Sequence, residues 1–177
     1  MKFLQNKRDE PNLILCGNPL PWVDTAKHLG TKIGSNENCI LSLDKKEKRA
    51  LYIQRNNELM QEFSYATSDT KVRINRIFNS HFYGSVIWNL FDQAADMIYN
   101  TWNTSIRKMF NLHCKTHRYL IEPVSKIPHI KTCLLKRFLN FKNNLLNSTK
   151  TTARNVCYNV MMDCRSILGE NLRKLML

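Results

Sequence analysis

Residues 92–110, DQAADMIYNTWNTSIRKMF, decide the fold class. Ala95, Ile98, Trp102, Ile106 and Met109 recur at intervals of three and four, the spacing that lines up one face of an α-helix. Outward from this stretch the same period repeats. After Pro128 it runs through Ile130, Leu134, Phe138, Phe141 and Leu145, and from about Thr152 through Val156, Val160, Cys164, Ile167 and Leu172. Upstream, Ser68-Asp69 supplies good N-cap chemistry for a helix presenting Ile74, Ile77, Phe78, Phe82 and Val86. A first helix, from about Leu43, shows Leu51, Arg55, Leu59 and Phe63 on one face, and Asp44-Lys45-Lys46-Glu47-Lys48-Arg49 reads as its solvated charged approach. Five amphipathic helices cannot bury their stripes separately, so a bundle over residues 36–177 is expected.

The first 34 residues differ. They hold Pro11, Gly17, Pro19, Pro21, Gly30 and Gly34, whereas the rest of the chain has only Gly84, Pro123, Pro128 and Gly169. Dense punctuation of this kind marks turns and short strands. Residues 12–16 read as a strand, Gly17-Asn18-Pro19 as its turn, and Trp22-Val23 and Leu29–Ile33 as further extended pieces. The expectation is a mainly α chain with a short β-hairpin or meander over residues 1–35.

Charge narrows the partners. With 27 Lys+Arg against 14 Asp+Glu in 177 residues, the net charge is +13. A protein this basic is suited to neutralising phosphates and releasing their counterions, so nucleic acid leads over an anionic membrane or an acidic protein. The excess peaks late, where residues 121–177 carry Lys126, Lys131, Lys136, Arg137, Lys142, Lys150, Arg154, Arg165, Arg173 and Lys174 against Glu122, Asp163 and Glu170. The polar opening, Met1 to Asn12, has no signal-peptide core, and no run of apolar residues is long enough for a membrane span. Scattered Cys16, Cys39, Cys114, Cys133, Cys157 and Cys164 then read as free thiols without disulfide partners, in an intracellular, nuclear or cytoplasmic protein that is not secreted.

Catalytic patterns are sparse. The chain has no Gly-x-Ser-x-Gly elbow, phosphate-cradling glycine loop or His-Glu-x-x-His, and no aspartate pair at a strand end. His113-Cys114-x-x-His117, with Cys133 further on, gathers donors that zinc accepts, although a fourth ligand would come from afar. The alternative is that these histidines follow a helix C-terminus and interact with its dipole. Basic residues interleaved with aromatics form a second pattern: Lys71, Arg73 and Arg76 ahead of His81-Phe82-Tyr83, and Arg107, Lys108, Lys115, His117 and Arg118 around the end of the third helix. Such faces can follow a phosphate backbone while rings stack on bases, or can be no more than hydrated surface.

Several ordered motifs resemble one family. Residues 20–30, LPWVDTAKHLG, resemble the stretch after the catalytic palm motifs in reverse transcriptases of non-LTR (LINE-type, jockey-like) retrotransposons, where a β-hairpin called the primer grip leads into an α-helical thumb. Residues 73–88, RINRIFNSHFYGSVIW, look like a thumb segment of that family. WNTSIRKMF at 102–110, Leu112, Thr116-His117-Arg118 and Leu135-Lys136-Arg137-Phe138 are similar to steps that follow it. The likeness spans roughly residues 1–148. It departs where the family has Leu-Pro and this chain has Leu112-His113, and the family's Phe/Tyr-x-Asp-Asp box would lie upstream of Met1.

The resemblance implies a part that holds an RNA/DNA template–primer duplex without performing chemistry, working with a palm that carries the magnesium; no cofactor is expected in this chain. Lys27, His28, Leu29 and Gly30 would contact the primer end, joined by Lys32. Lys71, Arg73, Arg76, Arg107, Lys108, Lys115, His117, Arg118, Lys136 and Arg137 would meet the duplex backbone. Two other readings stand beside this one: a basic helical protein-interaction module or relic of such an element, and a zinc-assisted site at His113, Cys114 and His117.

Overall fold

A computed structural model describes residues 14–16, 18, 19, 23, 25–28, 31–34, 37–78, 82–163 and 165–176. Two antiparallel hairpins come first: β1 (Ile14–Leu15) with β2 (Asn18–Pro19), and β3 (Thr25–His28) with β4 (Thr31–Gly34). Among the described residues seven helices follow: α1 (Glu37–Glu62), α2 (Ser68–Phe78), α3 (Gln93–Met109), α4 (Arg118–Ser125), α5 (Ile130–Leu146), α6 (Thr151–Met162) and α7 (Ile167–Met176). A 3-10 turn, Ser85–Ile87, precedes α3. The mainly α architecture after a strand-rich start matches the sequence reading, with seven helices in place of about five. Because Leu15 pairs with Asn18, the first turn follows Leu15 and includes Cys16 (φ 52°), and Asn18-Pro19 belongs to a strand. Trp22, Leu29 and Gly30 lie outside the described residues, and Val23 is not in a strand.

Helix α3 is the central pillar. Its five expected core residues, Ala95, Ile98, Trp102, Ile106 and Met109, are all buried, and Asp92 caps its first turn by accepting from Ala95 N at 2.7 Å. Helices α1, α4 and α5 pack on it, α6 on α5, and α7 on α6. From α5, Ile130, Leu134 and Phe138 enter the same core as Trp88, Leu90 and Ile121, while Phe141 and Leu145 are half-buried.

Three sequence expectations need correction. On α1 the inward face is Leu41, Tyr52, Asn56 and Leu59, whereas Leu51 and Phe63 are exposed and Arg55 is half-buried. The shift follows from Asp44 and Lys45, expected in solvent but each only 1% exposed. The Trp88 indole N–H donates to Asp44 Oδ2 at 2.9 Å, and Lys45 Nζ donates to Asn89 O at 2.9 Å and to the Asp92 carboxylate. A charge enters an interior only when paired in this way.

On α2 the buried residues are Val72 and Asn75, and Ile77 is exposed; Phe82 reaches the core from beyond the helix. The fifth expected helix is two. Asp163 Oδ1 accepts from Arg165 N at 2.9 Å, and Ser166 Oγ caps α7 by accepting from Gly169 N at 2.9 Å, so local side chains stop one helix and start the next. Helix α4 was unforeseen because it contains Pro123, whose missing N–H costs one bond to the carbonyl of exposed Tyr119.

The β3–β4 hairpin packs on the helices: β4 lies against α1, and Lys32 pairs with Glu47. Gly84 fixes its seat, with φ +79° and a position where a Cβ would stand 2.4 Å from Thr31 Oγ1. Gly84→Ala is expected to cost about 1–3 kcal/mol, from left-handed backbone strain plus that clash. In urea denaturation Thr31→Ala should restore only the steric share.

Candidate nucleic-acid interface

The basic residues singled out in the sequence fall into distinct local settings. At the hairpin, Lys27 faces Lys32 across the β3–β4 ladder; Lys27 is exposed, and Lys32 is held by Glu47. The Glu47 carboxyl sits below its ordinary range, chiefly because of its hydrogen bond with Lys32. His28 is in β3, opposite Thr31, while Leu29 and Gly30 lie outside the described residues.

On α2, Arg73 and Arg76 are exposed and Lys71 is half-buried. Arg76 reaches Lys126 O at 3.4 Å, which places this helix beside the end of α4. Lys126 is itself in the left-handed region, φ 55°, where it closes α4 by donating its N–H to Glu122 O.

Around the end of α3 the cations divide by role. Arg107 grips the following loop, its Nε and Nη2 both donating to Thr116 O at 3.1 and 2.7 Å. A guanidinium spent on that carbonyl shapes the loop that presents Lys115 and Arg118. Lys108, Lys115, His117 and Arg118 are exposed. The His117 ring stacks on Tyr119 at 5.4 Å, and His113 Nδ1 accepts from Lys115 N at 3.2 Å. His113 thus takes part in a turn and His117 in a ring stack, Cys114 is exposed, and among the described residues no three His, Cys, Asp or Glu are grouped to hold a metal ion.

On α5, Lys136 is exposed and Arg137 is half-buried. Lys131, on the same helix, covers the rings of Phe91 and Tyr99 at 5.0 and 5.7 Å, and Lys174 lies 5.6 Å from Phe91 while pairing with Glu170 at 2.6 Å. Part of the late basic excess therefore holds the bundle together.

Sequence reasoning missed two groups. The first is the scaffold under these faces. Asn171, fully buried, donates Nδ2 to Trp88 O at 2.7 Å and accepts from Leu90 N at 3.0 Å, and Tyr99 donates its hydroxyl to Leu90 O at 2.7 Å. His129 caps α5 by accepting from Lys131 N at 3.1 Å, edge-on to Trp102 at 4.8 Å, and burial holds its imidazole below the ordinary pKa. A lone Asn or His in a sequence carries no mark of such a partner.

The second is a groove of about 410 Å³ between α1 and α3, lined by Arg49, Ile53, Asn57, Met60, Met97, Asn100, Thr101, Thr104, Ser105 and Lys108. Only the helical spacing of its polar residues could have signalled it.

No protein-family model, curated protein or solved structure matches this chain. Among the described residues no helix is long and apolar enough to cross a membrane. Cys16, Cys114, Cys133 and Cys157 carry free thiols, with burial raising the pKa of Cys133 and Cys157.

Proposed function

We propose that this chain is a nucleic-acid-binding helical bundle akin to the thumb of a non-LTR retrotransposon reverse transcriptase, holding a template–primer duplex without performing chemistry. The observation that carries this reading is a set of exposed cations, Lys27, Arg73, Lys108, Lys115, Arg118 and Lys136, none of which is paired with a carboxylate among the described residues. Unneutralised cations on a chain of net charge +13 are available to phosphates. Contacts of this type fix position and carry no sequence information. Magnesium belongs, on this reading, to a separate palm.

Binding of primer–template duplexes should fall steeply with salt and vary little with sequence. Lys27→Glu combined with Arg73→Glu is expected to weaken binding about tenfold or more and to flatten the salt slope by about two, both in fluorescence anisotropy titrations. Affinity indifferent to salt would sink the proposal.

A protein-interaction role has its own support in exposed Tyr119, Leu120 and Val124 on α4 and Val156, Tyr158 and Met162 on α6. On that reading the isolated chain self-associates in sedimentation, and nucleic acid leaves the association unchanged.

A further inference from the structure

We infer that the groove between α1 and α3 receives a single nucleic-acid strand, beside the surfaces that meet a duplex and with Lys108 common to both; this rests on the nucleic-acid reading above. Two cations and no carboxylate line it, Arg49 towards one end and Lys108 at the other. Arg49 is set in place, its Nε donating to Thr101 Oγ1 at 2.7 Å, and the same hydroxyl donates to Met97 O at 2.7 Å. Fixing Nε leaves the terminal N–H groups of the guanidinium, the donors that suit a phosphate oxygen. Glu58, next to Asn57 in the chain, is engaged by Gln54 at 2.8 Å and does not line the groove.

Besides the two cations, polar and apolar groups line the groove. Asn57 and Asn100 are exposed and make no side-chain hydrogen bond among the described residues, so their amides can both donate and accept. Thr104 Oγ1 donates to Asn100 O at 3.0 Å, which leaves its lone pairs free to accept a sugar hydroxyl. Ile53, Met60 and Met97 add apolar surface to the lining on which base faces can rest, sequence-tolerant because every base has one.

Dimensions favour one strand. Thr101 and Lys108 are seven residues apart on α3, a rise of about 10 Å, close to three steps of about 3.4 Å along a stacked strand. A groove of about 410 Å³ is the size of a small-ligand cleft, far smaller than a duplex.

Three fluorescein-labelled probes test this on the full chain: a short oligothymidylate, a blunt duplex, and the same duplex with a single-stranded overhang. The overhang should raise affinity by about tenfold over the blunt duplex. Asn57→Asp with Asn100→Asp should abolish that gain and the oligothymidylate binding, leaving blunt-duplex affinity within about twofold, since carboxylates placed in the groove repel phosphates. Thr104→Glu, made separately and checked by circular dichroism, should act the same way.

An overhang that adds nothing, or variants that keep the gain, would overturn the inference while duplex binding stands. Failure to bind any probe would overturn both. Displacement of the oligothymidylate by a mononucleotide at equal concentration would overturn a strand site in favour of a nucleotide pocket.

Discussion

Trp88→Phe is expected to destabilise the protein by about 3 kcal/mol at neutral pH, a fall in Tm of about 6–12 °C for a domain of this size. Phenylalanine fills most of the space of the buried indole, so the larger share of the loss comes from the missing indole N–H and the rest from the void. Without it, the Asp44 carboxyl stays in a position only 1% exposed and loses its 2.9 Å donor. Burial already pushes the Asp44 pKa above its ordinary 3.8, with the Trp88 hydrogen bond opposing, so removing the donor lets it rise further. A folded pKa above the unfolded one means that the native state binds the extra proton. The stability that goes with neutral Asp44 is complete below 3.8 and is lost as pH rises through the raised folded value.

The deficit of Trp88→Phe should therefore be smallest in acid and grow towards neutrality, read by urea denaturation at successive pH values. Trp88→Phe combined with Asp44→Leu should recover most of the loss, since removing both partners leaves nothing unsatisfied. A deficit that does not change with pH would show that packing alone accounts for Trp88.

Asn171→Ala should cost about 4 kcal/mol, lowering Tm by about 8–16 °C. One side chain serves two backbone groups here, the Trp88 carbonyl and the Leu90 N–H, at full burial. Alanine leaves both unpaired and opens a small void between α7 and the segment before α3. Amide exchange separates this account from general loosening, because the Leu90 N–H should exchange far faster in the variant than the amides of mid-α3. Arg173→Ala, an exposed change two residues away on α7, should stay within about 0.5 kcal/mol. Equal melting of Asn171→Ala and the parent protein would mean that the two hydrogen bonds contribute nothing net.

The apolar period of α3 was legible because its stripe is held mainly by hydrophobic packing in the core, which is what a pattern of three and four records. Helix α1 was misread by part of a turn for the opposite reason. Its inner face is set by Asp44 and Lys45, residues whose type argues for solvent and whose partners, Trp88, Asn89 and Asp92, lie more than forty residues away. Ser166 and Asp163 divide the last helical stretch through side-chain bonds to nearby backbone, invisible to a scan for apolar spacing.

At the interface, residue type identified cations without telling them apart. Arg107 and Lys108 are neighbours in sequence, yet one clamps Thr116 while the other stands exposed at the end of a groove. The groove itself needed α1 and α3 side by side before Asn57 and Asn100 could be seen as one surface.

The segment Trp88–Asp92 is fastened from both directions along the chain, by Asp44 and Lys45 from 44 to 47 residues before it and by Asn171 from 81 to 83 residues after. On a ribosome these two fastenings are separated in time. Once α3 has emerged, α1 can close on it, but Leu90 must keep a water molecule in place of its asparagine until α7 is made. At about 5–20 residues per second that wait lasts about 4–16 s. The nascent chain thus carries an open seam beside fully buried Trp88 until α7 is made.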